Sequence, residues 1–324
     1  MATNWADLLL GSKIGVLHSV CSRTAGRADE FGRSFGSVRN YDRLDEMLEK
    51  EAAELDFVYI ATPLVSHYDI SKKCLEAGVG VLSEKPVTPT LDLWEDLAAL
   101  AKKKGVRLIE GMWMRCLPTF RQAESWINEG AIGKVSTIRV DFNKFIPSVD
   151  GRSGASTGVL MDYGVYALYF SCYFLGGVPS EFHSHCLRDQ GGVDFAWAII
   201  ARRNGRTAII NMSAAYHGGS GAAIYGEKGM IEWGSPFNRT DEIVLRRHGL
   251  GDKNQARIRF PYSYSGLEFQ LEEVTRVAKQ GLLESRLLTH KMTHDTLRFA
   301  GLLKDKVRHA NVCTAFGRGR SATQ

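Results

Sequence analysis

No two of the six cysteines (Cys21, Cys74, Cys116, Cys172, Cys186 and Cys313) are spaced as C-x-x-C in this chain of 324 residues. That absence argues against a disulfide framework and against a zinc site, and for reduced thiols in a reducing, cytoplasmic compartment. A dense basic stripe is also missing. The net charge of +5 is spread out, apart from Lys102–Lys104 and the tail residues Arg308, Arg318 and Arg320. A nucleic-acid protein carries a denser basic face, so that class is set aside. The N-terminus has neither a basic n-region nor a clean apolar core ahead of a small-residue cleavage site, which argues against a secretory leader. No stretch reads as a membrane span. The most apolar one, GVLMDYGVYALYFSCYFLGGV, holds Asp162 and several tyrosines, and a charge at the centre of a bilayer is costly. It reads as a buried helix. No repeat or low-complexity segment stands out.

What is present is an ordinary globular composition, 44% hydrophobic and 24% charged, in a chain long enough for two domains with sizeable cores. IGVLHSVCS (14–22), DFVYIAT (56–62), VGVLSE (79–84) and VRLIEG (106–111) are apolar runs suited to buried strands. GRADEFGRSFG (26–36), RLDEMLEKEAAEL (43–55), SHYDISKKCLEAG (66–78) and DLWEDLAALAKKKG (92–105) have helical patterns, most with a glycine stop. Strand and helix alternate with short links, which predicts a parallel sheet with right-handed crossovers. From about residue 135 the pattern changes to strands at 134–145, 181–188, 194–216, 221–233 and 241–249, with Asn204-Gly205 as a hairpin turn. Helices are predicted at 266–281 and 289–306. The fold class is therefore α/β: an N-terminal parallel-sheet domain (1–111), then an α+β domain with an open, mostly antiparallel sheet (112–310), then a polar tail (311–324).

Open parallel sheets bind ligands at the carboxyl ends of their strands. Thr62-Pro63 ends one such strand and Glu84-Lys85-Pro86 ends the next. Pro86 has no N–H to continue the strand and holds Lys85 extended, so the lysine stands at the rim in a fixed direction. An isolated lysine is more often simply solvated. Asp162 and Tyr166 are four apart in MDYGVYALYF (161–170), which predicts one face of one helical turn, preceded by a glycine-rich loop at 151–158. They form either a satisfied core pair or, with Lys85 opposite, a proton-transfer group in which the ammonium lowers the tyrosine pKa. GMWMRCLP (111–118) follows the last parallel strand and is predicted to bring Trp113 and Arg115 to the cleft. Trp113 as plain core is the other reading. Phe145 and Trp233 would add aromatic walls to that cleft.

YIATP, SEKPVTPT, IEGMWMRCLPTF, GAIGKV, GVLMDYGVYAL and GEKGMIEW follow one another in order, within a resemblance that covers roughly residues 5–305. This combination resembles the glucose-fructose oxidoreductase / inositol dehydrogenase (GFO/IDH/MocA) family, nearest its dimeric dihydrodiol dehydrogenase and NADP-dependent D-xylose dehydrogenase branch. The resemblance implies a Rossmann domain, a second domain whose open sheet supports a homodimer, and hydride transfer between NADP, with NAD as the lesser possibility, and a sugar, polyol or cyclic diol. It implies that Lys85 orients substrate and cofactor, that Tyr166 is the general acid/base where many relatives have histidine, and that Asp162 supports it. Ser22, Arg23, Thr24, Thr62, Pro63, His67, Glu84 and Lys85 are the implied cofactor contacts. Arg23 and its flanking hydroxyls stand where NAD enzymes usually place an acid, and they suit a 2′-phosphate. Arg23 as a solvated loop residue is the other reading. No metal, nucleic acid or membrane is implied.

One feature departs from the family pattern. The G-x-G-x-x-G turn belongs about 20 residues before the ribose-reading position. Counting back from Ser22 reaches Met1, so TNWADLLLGS (3–12) reads as the helix after that turn, with the first strand and the turn expected to be missing. Gly317 and Gly319 lie in the polar tail with no strand before them. An apparently truncated Rossmann half leaves two readings, an NADP-dependent oxidoreductase or a catalytically silent relative that binds a sugar-like ligand or a partner.

Overall fold

The computed structural model describes residues 1–36, 39–147, 157–248 and 255–310. Most of the glycine-rich 151–158 segment and the whole 311–324 tail lie outside the described residues.

The N-terminal half alternates as its sequence pattern predicts. Helix α1 (Ala2–Ser12) leads to β1 (Ser19–Cys21), α2 (Arg27–Ser34), β2 (Arg39–Tyr41), α3 (Leu44–Glu51), β3 (Phe57–Ile60), α4 (His67–Glu76), β4 (Gly80–Glu84), α5 (Leu91–Lys104) and β5 (Leu108–Gly111). The parallel strands do not form one sheet. β1 pairs with β2, and β3-β4-β5 form a separate sheet. Among the described residues no strand pairing joins the two sheets. Every residue of β4 and β5 is buried, whereas β1 and most of β3 are half-buried.

After α6 (Pro118–Asn128) the second half builds an eight-stranded sheet. Its strands are β6 (Val135–Asn143), β7 (Glu181–Arg188), β8 (Asp194–Arg203), β9 (Arg206–Ser213), β10 (Ala222–Gly226), β11 (Gly229–Trp233), β12 (Glu242–Arg247) and β13 (Gln255–Arg259), in the order β13-β12-β11-β10-β6-β9-β8-β7. All neighbours are antiparallel except β6 and β9. Asn204 and Gly205, with φ of 52° and 73°, make the turn between β8 and β9, the left-handed pair that a two-residue hairpin needs. One face of the sheet is covered by α7 (Gly164–Leu175), which is buried almost all round. Phe120, Phe170, Phe174, Trp233 and Phe237 pack into one aromatic cluster there. On the other face Ile200 and Ile209 are exposed. α8 (Leu267–Lys279) and α9 (His290–Ala310) close the chain, and α9 packs against both α7 and α5. Among the described residues no helix is long and apolar enough to cross a membrane.

The sequence expectation for Asp162 is corrected here. α7 begins at Gly164, and Asp162 lies in the hydrogen-bonded turn before it, closed by Asp162 N–H to Gly158 O at 3.0 Å and Gly164 N–H to Val159 O at 2.8 Å. Asp162 and Tyr166 therefore do not share a helical turn. Gly164 allows the close approach: a Cβ there would meet Met212 Sδ at 2.5 Å and Val159 O at 2.7 Å.

A buried carboxylate holds the small β1–β2 sheet onto α3. Glu51 accepts hydrogen bonds from Tyr41, His18 and Arg39. The Tyr41 bond first, then His18 and Arg39, push its pKa from 4.5 down to about 2. A depressed folded-state carboxyl contributes stability that is present above its unfolded pKa and lost as pH falls through the folded value. Glu51→Gln is therefore expected to lower the urea midpoint at pH 7. The gap to wild type should close as pH falls from about 4.5 towards 2. An equal gap at pH 7 and pH 2.5 would refute this account.

Candidate active site

The carboxyl ends of β3 and β4 meet the start of α7. Lys85 leaves β4 with its side chain largely buried, at 14% exposed. Its Nζ donates to the main-chain carbonyl of Asp162 at 2.6 Å and lies 3.7 Å from Asp162 Oδ1. The same ammonium stands 5.0 Å from the ring centroid of Tyr166, within cation–π range. Tyr166 is buried, and its hydroxyl oxygen accepts from Trp113 Nε1 at 2.8 Å. That leaves the tyrosine's own proton free to point at another acceptor. Lys85, Asp162 and Tyr166 are brought together, as expected, but Asp162 does so mainly through its backbone oxygen.

The electrostatics differ from the sequence expectation. Tyr166 has its pKa raised, not lowered: burial is the main cause, the charge of Glu84 adds to it, and the Trp113 bond opposes it only in part. Lys85 has its pKa lowered, because burial outweighs the carboxylates of Asp162, Glu84 and Glu110. Desolvation thus favours a neutral phenol and eases the lysine towards a neutral amine.

The remaining candidates divide into two groups. Glu84 accepts from Tyr59 OH at 2.6 Å and from the Lys85 N–H at 3.3 Å. His67 is buried, with Nε2 at 2.8 Å from Thr62 O and Nδ1 at 2.9 Å from Pro86 O. Thr62 Oγ1 accepts from Ser66 Oγ at 2.9 Å. These residues line the strand ends, with Pro63 exposed beside them. Ser22, Arg23 and Thr24 form the turn at the end of β1, where Arg23 and Thr24 are exposed. The second group lies elsewhere. Arg115 is 4% exposed and hydrogen-bonded to Glu124 and Tyr173. Trp233 belongs to the buried aromatic cluster. Phe145 is exposed beside His217. Arg115 and Trp233 thus pack within the core.

Sequence reasoning missed Tyr59 and Glu110. Glu110 is an acid inside the otherwise apolar run VRLIEG, a signal that was available. It is 4% exposed, and burial raises its pKa against two hydrogen bonds from Thr293 Oγ1 and Val87 N–H.

A profile of the oxidoreductase family with an NAD-binding Rossmann fold matches residues 4–112, and a profile of the GFO/IDH/MocA C-terminal domain matches residues 120–232. The chain is 28% identical over 313 residues to a scyllo-inositol 2-dehydrogenase (NADP(+)) of Bacillus subtilis, covering 92% of this chain and 93% of that one. It is 25% identical to a trans-1,2-dihydrobenzene-1,2-diol dehydrogenase of Danio rerio, covering 91% and 88%. The fold is shared with an aldose-aldose oxidoreductase from Caulobacter crescentus (TM-score 0.79, 21% identity, 91% and 90% covered) and a 3-ketoreductase from Actinomadura kijaniata (TM-score 0.76, 21% identity, 91% and 90% covered).

Proposed function

Because the chain belongs to the GFO/IDH/MocA oxidoreductase family, we propose that it interconverts a hydroxyl and a carbonyl group on a sugar, polyol or cyclic diol, using NADP. The observation that carries this reading is the Lys85 ammonium between the Asp162 carbonyl and the Tyr166 ring. The inositol dehydrogenase and dihydrodiol dehydrogenase relatives support the substrate class, with D-xylose a further candidate.

The donors fit the two ends of the cofactor. Ser22, Arg23 and Thr24 offer two hydroxyls and a guanidinium, which suit a 2′-phosphate. Lys85 and Tyr166 suit the reacting end. The pyrophosphate is the part without a fitted partner, since G-x-G-x-x-G occurs nowhere in the chain. When bound, the cofactor supplies or accepts the hydride. The protein's part is the proton. In reduction, Tyr166, kept protonated by burial, donates its O–H to the substrate oxygen while Trp113 holds the phenol oxygen in place. In oxidation the proton moves the other way. The Tyr166 oxygen receives it, and Lys85 beside the ring shapes the field in which the proton moves.

The test is a panel of inositols, dihydrodiols and aldoses assayed with NADP and NAD. NADPH is expected to bind at least about tenfold tighter than NADH, since a guanidinium forms charge-assisted bonds with a phosphate. Tenfold tighter NADH, or no turnover of any panel member, would overturn the reading. A homodimer through the open sheet face carrying Ile200 and Ile209 belongs to the same proposal, and sedimentation at two concentrations checks it.

A further inference from the structure

Lys85 can serve only if the backbone that carries it is fixed, and the two residues after it are held from opposite sides. Pro86 O faces His67 Nδ1 at 2.9 Å, and His67 Nε2 faces Thr62 O at 2.8 Å. One buried imidazole thus spans the segment after β3 and the segment after β4. On the other side, Val87 N–H donates to Glu110 Oε1 at 3.1 Å, and Glu110 Oε2 accepts from Thr293 Oγ1 at 2.9 Å. His67, Val87, Glu110 and Thr293 are between 0% and 4% exposed. A surface explanation for these polar groups is therefore excluded. A buried acid and a buried imidazole are costly to keep unless each is hydrogen-bonded. Here both bond to the backbone flanking one functional lysine.

We propose that His67 and Glu110 are positioning residues for Lys85. They grip the carbonyl of Pro86 and the N–H of Val87, and Thr293 anchors the grip to α9. The two oxygens of Glu110 each accept one of these bonds, and both bonds favour its ionised form against the opposing effect of burial. The proposal rests on the reading of Lys85 as catalytic.

Glu110→Gln separates positioning from charge. A glutamine accepts from Val87 N–H through its oxygen and donates to Thr293 Oγ1 through its nitrogen, so both bonds survive. Glu110→Leu removes both, and Thr293→Val removes one. In the full chain, Glu110→Gln is expected to keep kcat within about threefold, and Glu110→Leu to lose at least about tenfold with KM for NADP within about threefold, the signature of an interaction lost from the reacting geometry. Thr293→Val, the smaller change, should fall between them and remain folded. A second readout needs no turnover: reductive methylation of Lys85, followed by mass spectrometry, should be several-fold faster in Glu110→Leu and unchanged in Glu110→Gln. Loss of kcat in Glu110→Gln equal to that in Glu110→Leu would overturn the proposal, as would wild-type kcat and methylation rate in both Glu110→Leu and Thr293→Val. Lys85→Ala run alongside keeps the two readings apart. If it retains full turnover the catalytic reading fails, and if it alone loses turnover only the positioning proposal fails.

Discussion

Lys85→Ala is expected to lower kcat by on the order of 10²-fold or more, with a comparable loss for Tyr166→Phe, the scale of a positioned acid/base. The two losses should be far from additive. Lys85 Nζ lies against the Tyr166 ring, so removing either changes the field at the other. Lys85→Ala also leaves the Asp162 carbonyl without its 2.6 Å donor. Tyr166→Phe leaves Trp113 Nε1 unpaired, so its thermal midpoint should also fall. Steady-state kinetics on both singles and the double settle the matter. Turnover within threefold of wild type for Tyr166→Phe would remove the phenol from the mechanism.

The second large effect is on stability. Arg115 Nη2 donates to Glu124 Oε1 at 3.0 Å and to Tyr173 OH at 2.9 Å, and its Nη1 lies 2.9 Å from Glu124 Oε2. Its guanidinium stacks 4.9 Å and 4.7 Å from the rings of Phe120 and Tyr173. Arg115 thus joins α6 to α7 through charge, hydrogen bonds and aromatic contact together. Arg115→Ala should destabilise by about 1.5–3 kcal/mol, the scale of hydrogen bonds to charged groups, since Glu124 is 25% exposed and keeps its bond from Tyr173. KM for substrate should change little in the fraction that stays folded. A raised KM with an unchanged urea midpoint would return Arg115 to the substrate site.

The parts of this fold that were legible carry their signal locally. β4 and β5 are continuous apolar runs because both their faces are buried, and Asn204-Gly205 marks its turn by itself. β2 was not legible. Its three residues, Arg-Asn-Tyr, have no periodicity, and they are a strand only because β1 lies beside them. β13 is an outer strand whose alternation is too short to read. α6 could have been found, with Pro118 at its first turn and Phe120, Ala123 and Trp126 buried at three-residue steps. At the candidate site, the E-K-P and D-x-G-x-Y spacing singled out Lys85 and Tyr166, which the fold brings side by side. It could not reveal that Asp162 offers its carbonyl, because a backbone oxygen has no sequence signature. Nor could residue type tell that burial, more than a neighbouring charge, governs the Tyr166 pKa.

α9 limits how the two halves can move. Near its start, His290 faces the Leu108 carbonyl at 2.9 Å and packs edge-on against Trp94, both in the parallel-sheet half. Towards its end, Lys306 donates to Phe182 O on β7 at 2.7 Å. Between these points it lies on α7. A wide hinge at the 112–117 segment would tear one end of this rod from its seat. The motion left to the molecule is shear, a slide of about 1–2 Å of packed helices past one another. One helix thus fastens the half that carries Lys85 to the far edge of the eight-stranded sheet, so a strain at either end reaches the other.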